Sequence, residues 1–262
     1  MTEGVGPLAS EQAAQGAEHG GGMAIDPMHQ FEIQRLVRID LGWLDASFTN
    51  SSLWMVIAAA VISFVLLASS KKLVPSRLQS VGELAYEFIF NMVRDTMGEQ
   101  GRKFFPFIFT LFMFVLASNM LGLVPYSFTV TSHIIITFAL AATVFVGATV
   151  YGFVKHGFGY LKLFAPDGIP AVMLPLLIVI EVISYLSRPI SLSVRLFANM
   201  MAGHTMLKVF GAFVVALGWA GVVPFVVMVG FTGLEVLIAF LQAFVFAILS
   251  CMYINDALHP HH

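Results

Sequence analysis

The chain has few charged residues and a single cysteine, and both features limit the class of protein to which it can belong. Charged residues make up only 11% of its 262 residues, whereas a typical soluble domain has about 25%. The one cysteine, Cys251, lies among apolar residues, so an internal disulfide and a cysteine-rich metal site are excluded and a packing role is expected. The G-x-x-x-x-G-K-[ST] pattern of a P-loop does not occur either. The chain is therefore neither a disulfide scaffold nor a P-loop enzyme.

Apolar residues are what the sequence has in abundance. Hydrophobic side chains account for 58% of the chain, which includes 25 phenylalanines and has a mean hydropathy of +0.88. Soluble domains contain about 45 to 50% apolar residues, and several runs here approach the roughly 20 residues that a transmembrane helix needs. The composition predicts an all-α polytopic membrane protein.

The apolar runs divide the chain into a tail and one membrane domain. Residues 1–25 are expected to form a flexible tail without a cleavable signal peptide, and residues 26–262 a single membrane domain. Within that domain, five spans are expected at about 53–69, 104–124, 133–154, 171–216 and 220–255.

Between the first two spans, residues of about 76–100 have the pattern of an amphipathic helix. Apolar side chains recur there at a helical period, at Leu78, Val81, Leu84, Phe88, Met92 and Met97. Polar residues such as Glu83, Glu87 and Arg94 lie mostly opposite. This pattern predicts a helix along the membrane surface. A helix packed on another part of the protein is the alternative.

Basic residues follow alternate spans. Lys71 and Lys72 follow the first span, and Lys155 and Lys162 follow the third, whereas the turn between the second and third spans has no Lys or Arg. Cytoplasmic loops carry the excess of basic residues in membrane proteins. We therefore expect the amino terminus outside the cell and the carboxyl terminus in the cytoplasm.

The last two apolar elements are too long for a perpendicular crossing. As continuous helices they would be roughly 65 and 50 Å long, against a hydrocarbon core of about 30 Å. They must therefore break, with Pro189 as a candidate kink, or form a hairpin of two long, steeply tilted membrane helices.

Two arginines lie within the first of these elements. At 100° per residue, Glu181, Arg188, Arg195 and Asn199 fall within about 40° of one another and form one polar stripe. An arginine near the bilayer centre costs roughly 2.5 to 3.5 kcal/mol. Arg188 could be a structural or snorkelling arginine, with Glu181 as its ion-pair partner. Arg195 has the weakest structural explanation, because its local window "SLSVRLFANM" offers no acidic partner.

Further polar groups lie away from that stripe. His204 is nine residues past Arg195, about 180° around the helix, and Glu235 and Gln242 share a face of the last element. This arrangement predicts two separate polar pathways on different sides of one permanent cation. Alternatively, His204 and Glu235 could be a buried pair that holds the hairpin shut. Gln242 and Asn199 could also be simple interhelical hydrogen-bonding residues.

Two other functional classes are weaker matches to these residues. A voltage-sensing helix usually repeats arginine every third residue, whereas Arg188 and Arg195 are seven apart. A haem-bearing membrane oxidoreductase needs histidine ligands, but His133, His156 and His204 show no repeated pairing on facing spans.

The polar residues lie within longer motifs. The segment "SRPISLSVRLFANMMAGH" (187–204), followed by "LEVLIAFLQAFVFAILSCMYINDA" (234–257), resembles the signature of the a subunit, the membrane stator of rotary F-type ATP synthases. The segments "DPMHQFEI" (26–33) and "SNMLGLVPYSF" (118–128) extend the resemblance to about 230 residues. His204 with Glu235 is similar to the arrangement in mitochondrial and mitochondrion-like bacterial enzymes.

The resemblance implies a role for each polar residue in proton movement. Arg195 would be the indispensable, catalytic arginine, and Glu181 the acid on the side from which protons leave. The half-channel through which protons arrive, here called the inlet half-channel, would be lined by Asn199, His204, Glu235 and Gln242. Arg188 and Ser191 are possible helpers. Some relatives have an acid where this chain has Gly122.

The resemblance also implies partners. These are a ring of c subunits that each present a carboxyl group at mid-membrane, b-type peripheral stalk subunits, the rest of the ATP synthase, and membrane lipid. ATP chemistry would belong to other subunits of the H⁺-transporting complex, in a bacterial inner (plasma) membrane. No cofactor, metal or nucleic acid is expected. Both H⁺ and Na⁺ stay open as the coupling ion, with H⁺ as the default.

Overall fold

The computed structural model describes residues 35–37, 48–68, 77–124, 127–164 and 173–259. The expected flexible tail, residues 1–25, lies outside the described residues. Six α-helices occupy most of the described chain: α1 (Asn50–Ala68), α2 (Arg77–Met97), α3 (Phe105–Gly122), α4 (Ile134–His156), α5 (Leu174–Ala216) and α6 (Val222–Leu258).

Short elements complete the described chain. Helices of the 3₁₀ type occur at Gly98–Lys103, Val130–Ser132, Gly157–Phe164 and Gly218–Gly221. Two strands, β1 (Arg35–Val37) and β2 (Phe48–Thr49), pair antiparallel immediately before α1. The sequence did not predict this pairing, because two- and three-residue strands leave no detectable period-2 pattern.

Every helix except α2 lies within a segment long and apolar enough to cross a membrane. Large apolar side chains on these segments are exposed, for example Val56 at 58%, Phe64 at 72% and Ile135 at 77%. Contiguous apolar surface of this kind requires a nonaqueous environment or a partner. The predicted all-α polytopic membrane fold is therefore confirmed.

The two long apolar elements form a continuous helical hairpin. Helix α5 has 43 residues and α6 has 37, which correspond to lengths of about 64 and 56 Å. Helix α5 continues through Pro189 without a break. The helices are joined by Gly218–Gly221, where Gly218 has a positive φ of 55°. A Cβ at Gly221 would collide with the carbonyl oxygen of Val214, so this tight turn requires glycine.

Helix α6 lies at the centre of the bundle and contacts α2, α3, α4 and α5. A row of small side chains at every fourth position of α6 is fully buried: Ala239, Ala243, Ala247 and Cys251. Small residues allow helices in a membrane to approach closely. The complete burial of Cys251 agrees with its expected packing role.

The amphipathic helix α2 divides its apolar residues between two faces. The face in the bundle core consists of Ile89, Met92, Val93 and Met97. Val81 and Leu84 are instead 64% and 69% exposed, where they are available to lipid. The carboxyl half of α2 therefore packs on the protein, and placement of the helix along the membrane surface stays a prediction.

The carboxyl ends of α4 and α6 meet at one end of the bundle. The carbonyl oxygen of Leu258 accepts hydrogen bonds from Nζ of Lys155 at 3.1 Å and from Nε2 of His156 at 3.2 Å. Basic side chains stabilise the unpaired carbonyls and the negative dipole end of a helix. This contact places the basic end of α4 beside the end of α6.

Candidate functional site

Arg195 lies on α5 with its side chain exposed on the outside of the hairpin. Within the described ranges it has no hydrogen bond and no ion pair. Leu192 and Leu196 beside it are buried, while Ser191, one turn earlier, is exposed. The guanidinium is thus presented on a lateral face of α5, where another protein can reach it.

Arg188 has a different environment, although it belongs to the same stripe. Its Nη1 lies 2.6 Å from Oδ2 of Asp256 on α6, in an ion pair that is partly exposed. The guanidinium carbon is also 5.8 Å from the ring centroids of Tyr185 and Tyr253. The considered pairing of Arg188 with Glu181 does not occur, because Asp256 approaches from the neighbouring helix. Arg188 therefore joins the two helices of the hairpin.

Glu181 lies toward the amino-terminal end of α5 and is partly exposed. It makes no hydrogen bond or ion pair with the described part of the chain. Fourteen residues separate it from Arg195, or about 21 Å along a helix axis. His204 lies about 14 Å from Arg195 in the opposite direction. The acid and the histidine are therefore held on opposite sides of the arginine by one continuous helix.

His204 and Glu235 face the same small cavity between α5 and α6. The cavity has a volume of about 170 Å³ and is also lined by Asn199 and Gly203. Each of the two titratable side chains is only 9% exposed. No ion pair joins them, and Oε2 of Glu235 has no hydrogen-bond partner among the described residues. The two side chains are therefore both buried beside one small cavity, without an ion pair between them.

A larger cavity continues from His204 to the end of the bundle where α1 begins and α3 ends. Its volume is about 740 Å³, and its wall includes Asn50, Trp54, Ser127 and Lys208. His204 lines both cavities. The imidazole therefore stands where the wide cavity meets the small one.

Asn199 extends the small cavity toward the arginine, since it is one helical turn from Arg195. Gln242 does not line either cavity. It is 6% exposed, and its Nε2 has no hydrogen-bond partner within the described chain. The structure thus brings Asn199, His204 and Glu235 together, and leaves Gln242 two turns further along α6.

Gly203 allows the carboxylate of Glu235 to lie against α5. A Cβ built at Gly203 would collide with Oε1 of Glu235. At Gly211, two turns further along the same helix, the nearest atom to a built Cβ is Sδ of Met228 at 4.0 Å. The close contact is therefore specific to the position that faces the acid.

The turn between α3 and α4 supplies a buried hydroxyl to the site. Oγ1 of Thr129 lies 3.1 Å from Nε2 of His204. A Cβ at Gly122 would be only 2.8 Å from Cγ2 of Thr129. The absence of a side chain at Gly122 therefore lets Thr129 pack against the end of α3.

Other buried polar groups hold this turn in place. Oδ1 of Asn119 accepts a hydrogen bond from Thr131 at 2.9 Å, and its Nδ2 donates to the carbonyl oxygen of Ala239 at 3.4 Å. In the described ranges, no three His, Cys, Asp or Glu side chains meet in a way that could hold a metal ion.

Comparison with known proteins decides the family. Residues 52–255 match the family described as ATP synthase A chain. The chain belongs to this family. An ATP synthase subunit a from Chelativorans sp. is 62% identical over 249 residues, which cover 92% of this chain and 100% of that protein.

Two further proteins named ATP synthase subunit a have similar coverage. The one from Pelagibacter ubique is 60% identical over 244 residues, covering 92% of this chain and 100% of its own length. The one from Parvibaculum lavamentivorans is 56% identical over 259 residues, covering 95% and 100%. Family membership confirms the resemblance to the F-type ATP synthase membrane sector. It also removes the voltage sensor and the haem oxidoreductase as alternatives.

Several residues of the candidate site were not identified from the sequence. Asp256 is recognisable in the sequence as an acid near the end of an apolar helix, but the sequence does not indicate that Arg188 is its partner. Thr129 lies within "FTVTS" (128–132), a segment with three hydroxyl side chains, and nothing else in the sequence sets it apart. Gly203 gave no signal apart from standing next to His204. Each depends on a contact between distant parts of the chain.

The ion pair between Arg188 and Asp256 is predicted to stabilise the hairpin. We expect Arg188→Gln and Asp256→Asn each to lower the thermal stability of the purified complex. The double variant should lose less than the sum of the single losses, with a coupling of about 0.5 to 3 kcal/mol. Thermal inactivation midpoints of the four proteins measure this. Strictly additive losses would mean that the pair contributes no stability.

Gly203→Ala is predicted to displace the carboxylate of Glu235 and to reduce proton conduction through the membrane sector. Gly211→Ala is the matched control, because it makes the same change on α5 where only Met228 is near. Both substitutions replace a helical glycine with a better helix former. Passive proton flux in reconstituted vesicles should fall for the first variant and not for the second. Equal flux in both would show that the position of the carboxylate is unimportant.

Proposed function

We propose that this chain is the stationary, proton-translocating subunit of the membrane sector, with Arg195 separating two half-channels. The observation that supports this most strongly is the contrast between the two arginines. Arg188 is neutralised by Asp256 at 2.6 Å, whereas Arg195 lies exposed without an ionic partner in the described chain. An anion on another protein would complete the ion pair.

A c-subunit carboxyl group provides a suitable partner for Arg195. Arginine stays protonated at any accessible pH. A carboxylate about 4 Å away gains roughly 4 kcal/mol at an effective dielectric of 20, which is equivalent to about three pKa units. Next to Arg195 the ring carboxyl therefore loses its proton, whereas in lipid it must be neutral. A ring that turns past Arg195 thus binds and releases one proton per carboxyl group.

The inlet half-channel is proposed to run through the two cavities. Protons enter the 740 Å³ cavity, pass His204, and reach the 170 Å³ cavity beside Glu235 and Asn199. Histidine suits this position because it exchanges protons near neutral pH. From Asn199 the path reaches the ring within one turn of Arg195. Gln242 is proposed to contribute a hydrogen bond further along α6.

The outlet half-channel is proposed to pass Glu181, about 21 Å from Arg195 on the same helix. Helix α5 begins after the basic segment that includes Lys155 and Lys162, so the positive-inside rule places Glu181 near the cytoplasm. The inlet cavity lies at the other end of the bundle and would open outside. A potential of 100 mV then contributes about 2.3 kcal/mol for each charge that crosses.

The surroundings follow from this assignment. The chain would lie in a bacterial inner membrane with its amino terminus outside and its carboxyl terminus in the cytoplasm. Its lateral face at Arg195 and Ser191 would contact the c ring, and b-type stalk subunits would hold it against rotation. Protons are the proposed coupling ion, because an imidazole in the inlet transfers H⁺ and does not bind Na⁺ well.

Arg195→Ala is predicted to abolish ATP synthesis and ATP-driven proton pumping while the ring stays assembled. The barrier between the half-channels would also be lost, so vesicles should leak protons passively. The matched control is Arg188→Gln with Asp256→Asn, which removes an arginine from the same stripe together with its partner. Pumping is measured in inverted vesicles. Retained pumping in Arg195→Ala would contradict the proposed mechanism.

A further inference from the structure

His204 is positioned by a side chain on a different element of the fold. Its Nε2 lies 3.1 Å from Oγ1 of Thr129 in the turn that precedes α4. Thr129 is 3% exposed and His204 is 9% exposed, so the contact is shielded from bulk water. A buried polar contact of this kind fixes the orientation of a side chain strongly.

Thr129 also has a second partner. Its Oγ1 lies 3.4 Å from the carbonyl oxygen of Gly122 and can donate to it. This approach depends on Gly122, since a Cβ there would lie 3.1 Å from Oγ1 and 2.8 Å from Cγ2 of Thr129. The hydroxyl thus has two acceptors within reach, the carbonyl oxygen and the imidazole nitrogen.

The two acceptors match the two protonation states of an imidazole. A hydroxyl has one rotatable proton and two acceptor lone pairs. When Nε2 carries no proton, Thr129 can donate its proton to Nε2. When Nε2 is protonated, it donates to Oγ1, and the hydroxyl proton turns to the carbonyl oxygen of Gly122. No heavy atom has to move between the two arrangements, and both Nε2 and the hydroxyl proton have a partner in each of them.

We propose that Thr129 is a positioning residue that holds the ring of His204 in one orientation through both protonation states, by reversing the direction of its hydrogen bond. This inference rests on the proposed function of His204 in the inlet half-channel. His204 lines both the large and the small cavity, and Glu235 lines the small one. A ring of fixed orientation can take up and give up a proton at Nδ1, the ring nitrogen that Thr129 does not contact, without a rotamer change.

Thr129→Val tests the proposal because it keeps the shape of threonine and removes the hydroxyl. A protonated Nε2 would then lose the hydroxyl as an acceptor in a buried site. We expect passive proton flux per assembled complex to fall by about tenfold, which corresponds to one lost hydrogen bond of ordinary strength. Thr129→Ser, which retains the hydroxyl, should restore most of the flux.

Two further variants separate the possible causes. Thr131→Val removes an equally buried hydroxyl from the same turn, but this hydroxyl is bonded to Asn119 and not to His204. Because this bond helps to hold the turn in place, we expect some loss of flux, but a much smaller one than in Thr129→Val. His204→Ala should block flux. All variants are measured in complete membrane sectors in vesicles, with assembly checked by native electrophoresis. If Thr129→Val assembles poorly, Thr129→Ala removes the hydroxyl with less bulk.

The outcomes distinguish this inference from the proposed function. Normal flux in Thr129→Val with blocked flux in His204→Ala would overturn the positioning role alone. Equal losses in Thr129→Val and Thr129→Ser, or in Thr129→Val and Thr131→Val, would also overturn it, because the turn would then act through packing. Normal flux in His204→Ala would contradict the proposed inlet half-channel itself.

Discussion

The positive charge of Arg195 constrains everything around it. No carboxylate of the described residues forms an ion pair with this guanidinium. In an apolar environment such a charge is unfavourable by several kcal/mol unless an anion approaches it. Water close to it would weaken its effect on that anion, since attraction falls as the dielectric constant rises. In the proposed function of Arg195, the apolar side chains beside it therefore contribute. They keep the field of Arg195 strong and separate the polar groups on its two sides.

The continuity of α5 fixes the distances between Arg195 and the polar groups on its two sides. Because α5 continues through Pro189, it holds Glu181, Arg195 and His204 at fixed separations along one axis. A broken helix would let the polar groups on the two sides of Arg195 approach each other. The two proposed half-channels would then no longer be separate. The pair between Arg188 and Asp256 ties this helix to α6, and the small residues of α6 allow the rest of the bundle to pack closely. Two arginines seven residues apart thus have different surroundings, because among the described residues only Arg188 has an acid within ion-pair distance.

The fold was predictable because its signals are local. Span lengths, the hairpin and the polar stripe on α5 follow from hydropathy and from a period of 3.6 residues. The contacts that define the site are not local. Arg188 and Asp256 are 68 positions apart, and Thr129 and His204 are 75 apart. Their pairing depends on the order and rotation of packed helices, which periodicity does not specify.

The burial of α2 and the space at Gly203 also could not be predicted, because both depend on contacts between helices. Periodicity identified α2 as amphipathic, but it did not reveal that Ile89 and Val93 face the core while Val81 and Leu84 are exposed. Nothing in the sequence indicated that the missing Cβ of Gly203 makes room for a carboxylate from another helix. Such steric relations appear only when two helices are placed against each other.

The proposed separation of two half-channels by Arg195 is tested most directly by asking from which side of the membrane a water-soluble reagent reaches each of them. Single cysteines would be placed at His204 and at Glu181 in a chain carrying Cys251→Ala, since the native thiol is buried. Thiolates form and react in the presence of water, so a membrane-impermeant thiol reagent is applied to vesicles of each orientation. We expect His204→Cys to react only from outside and Glu181→Cys only from the cytoplasmic side. Reaction of both cysteines from the same side, or of either from both sides, would contradict two separated half-channels.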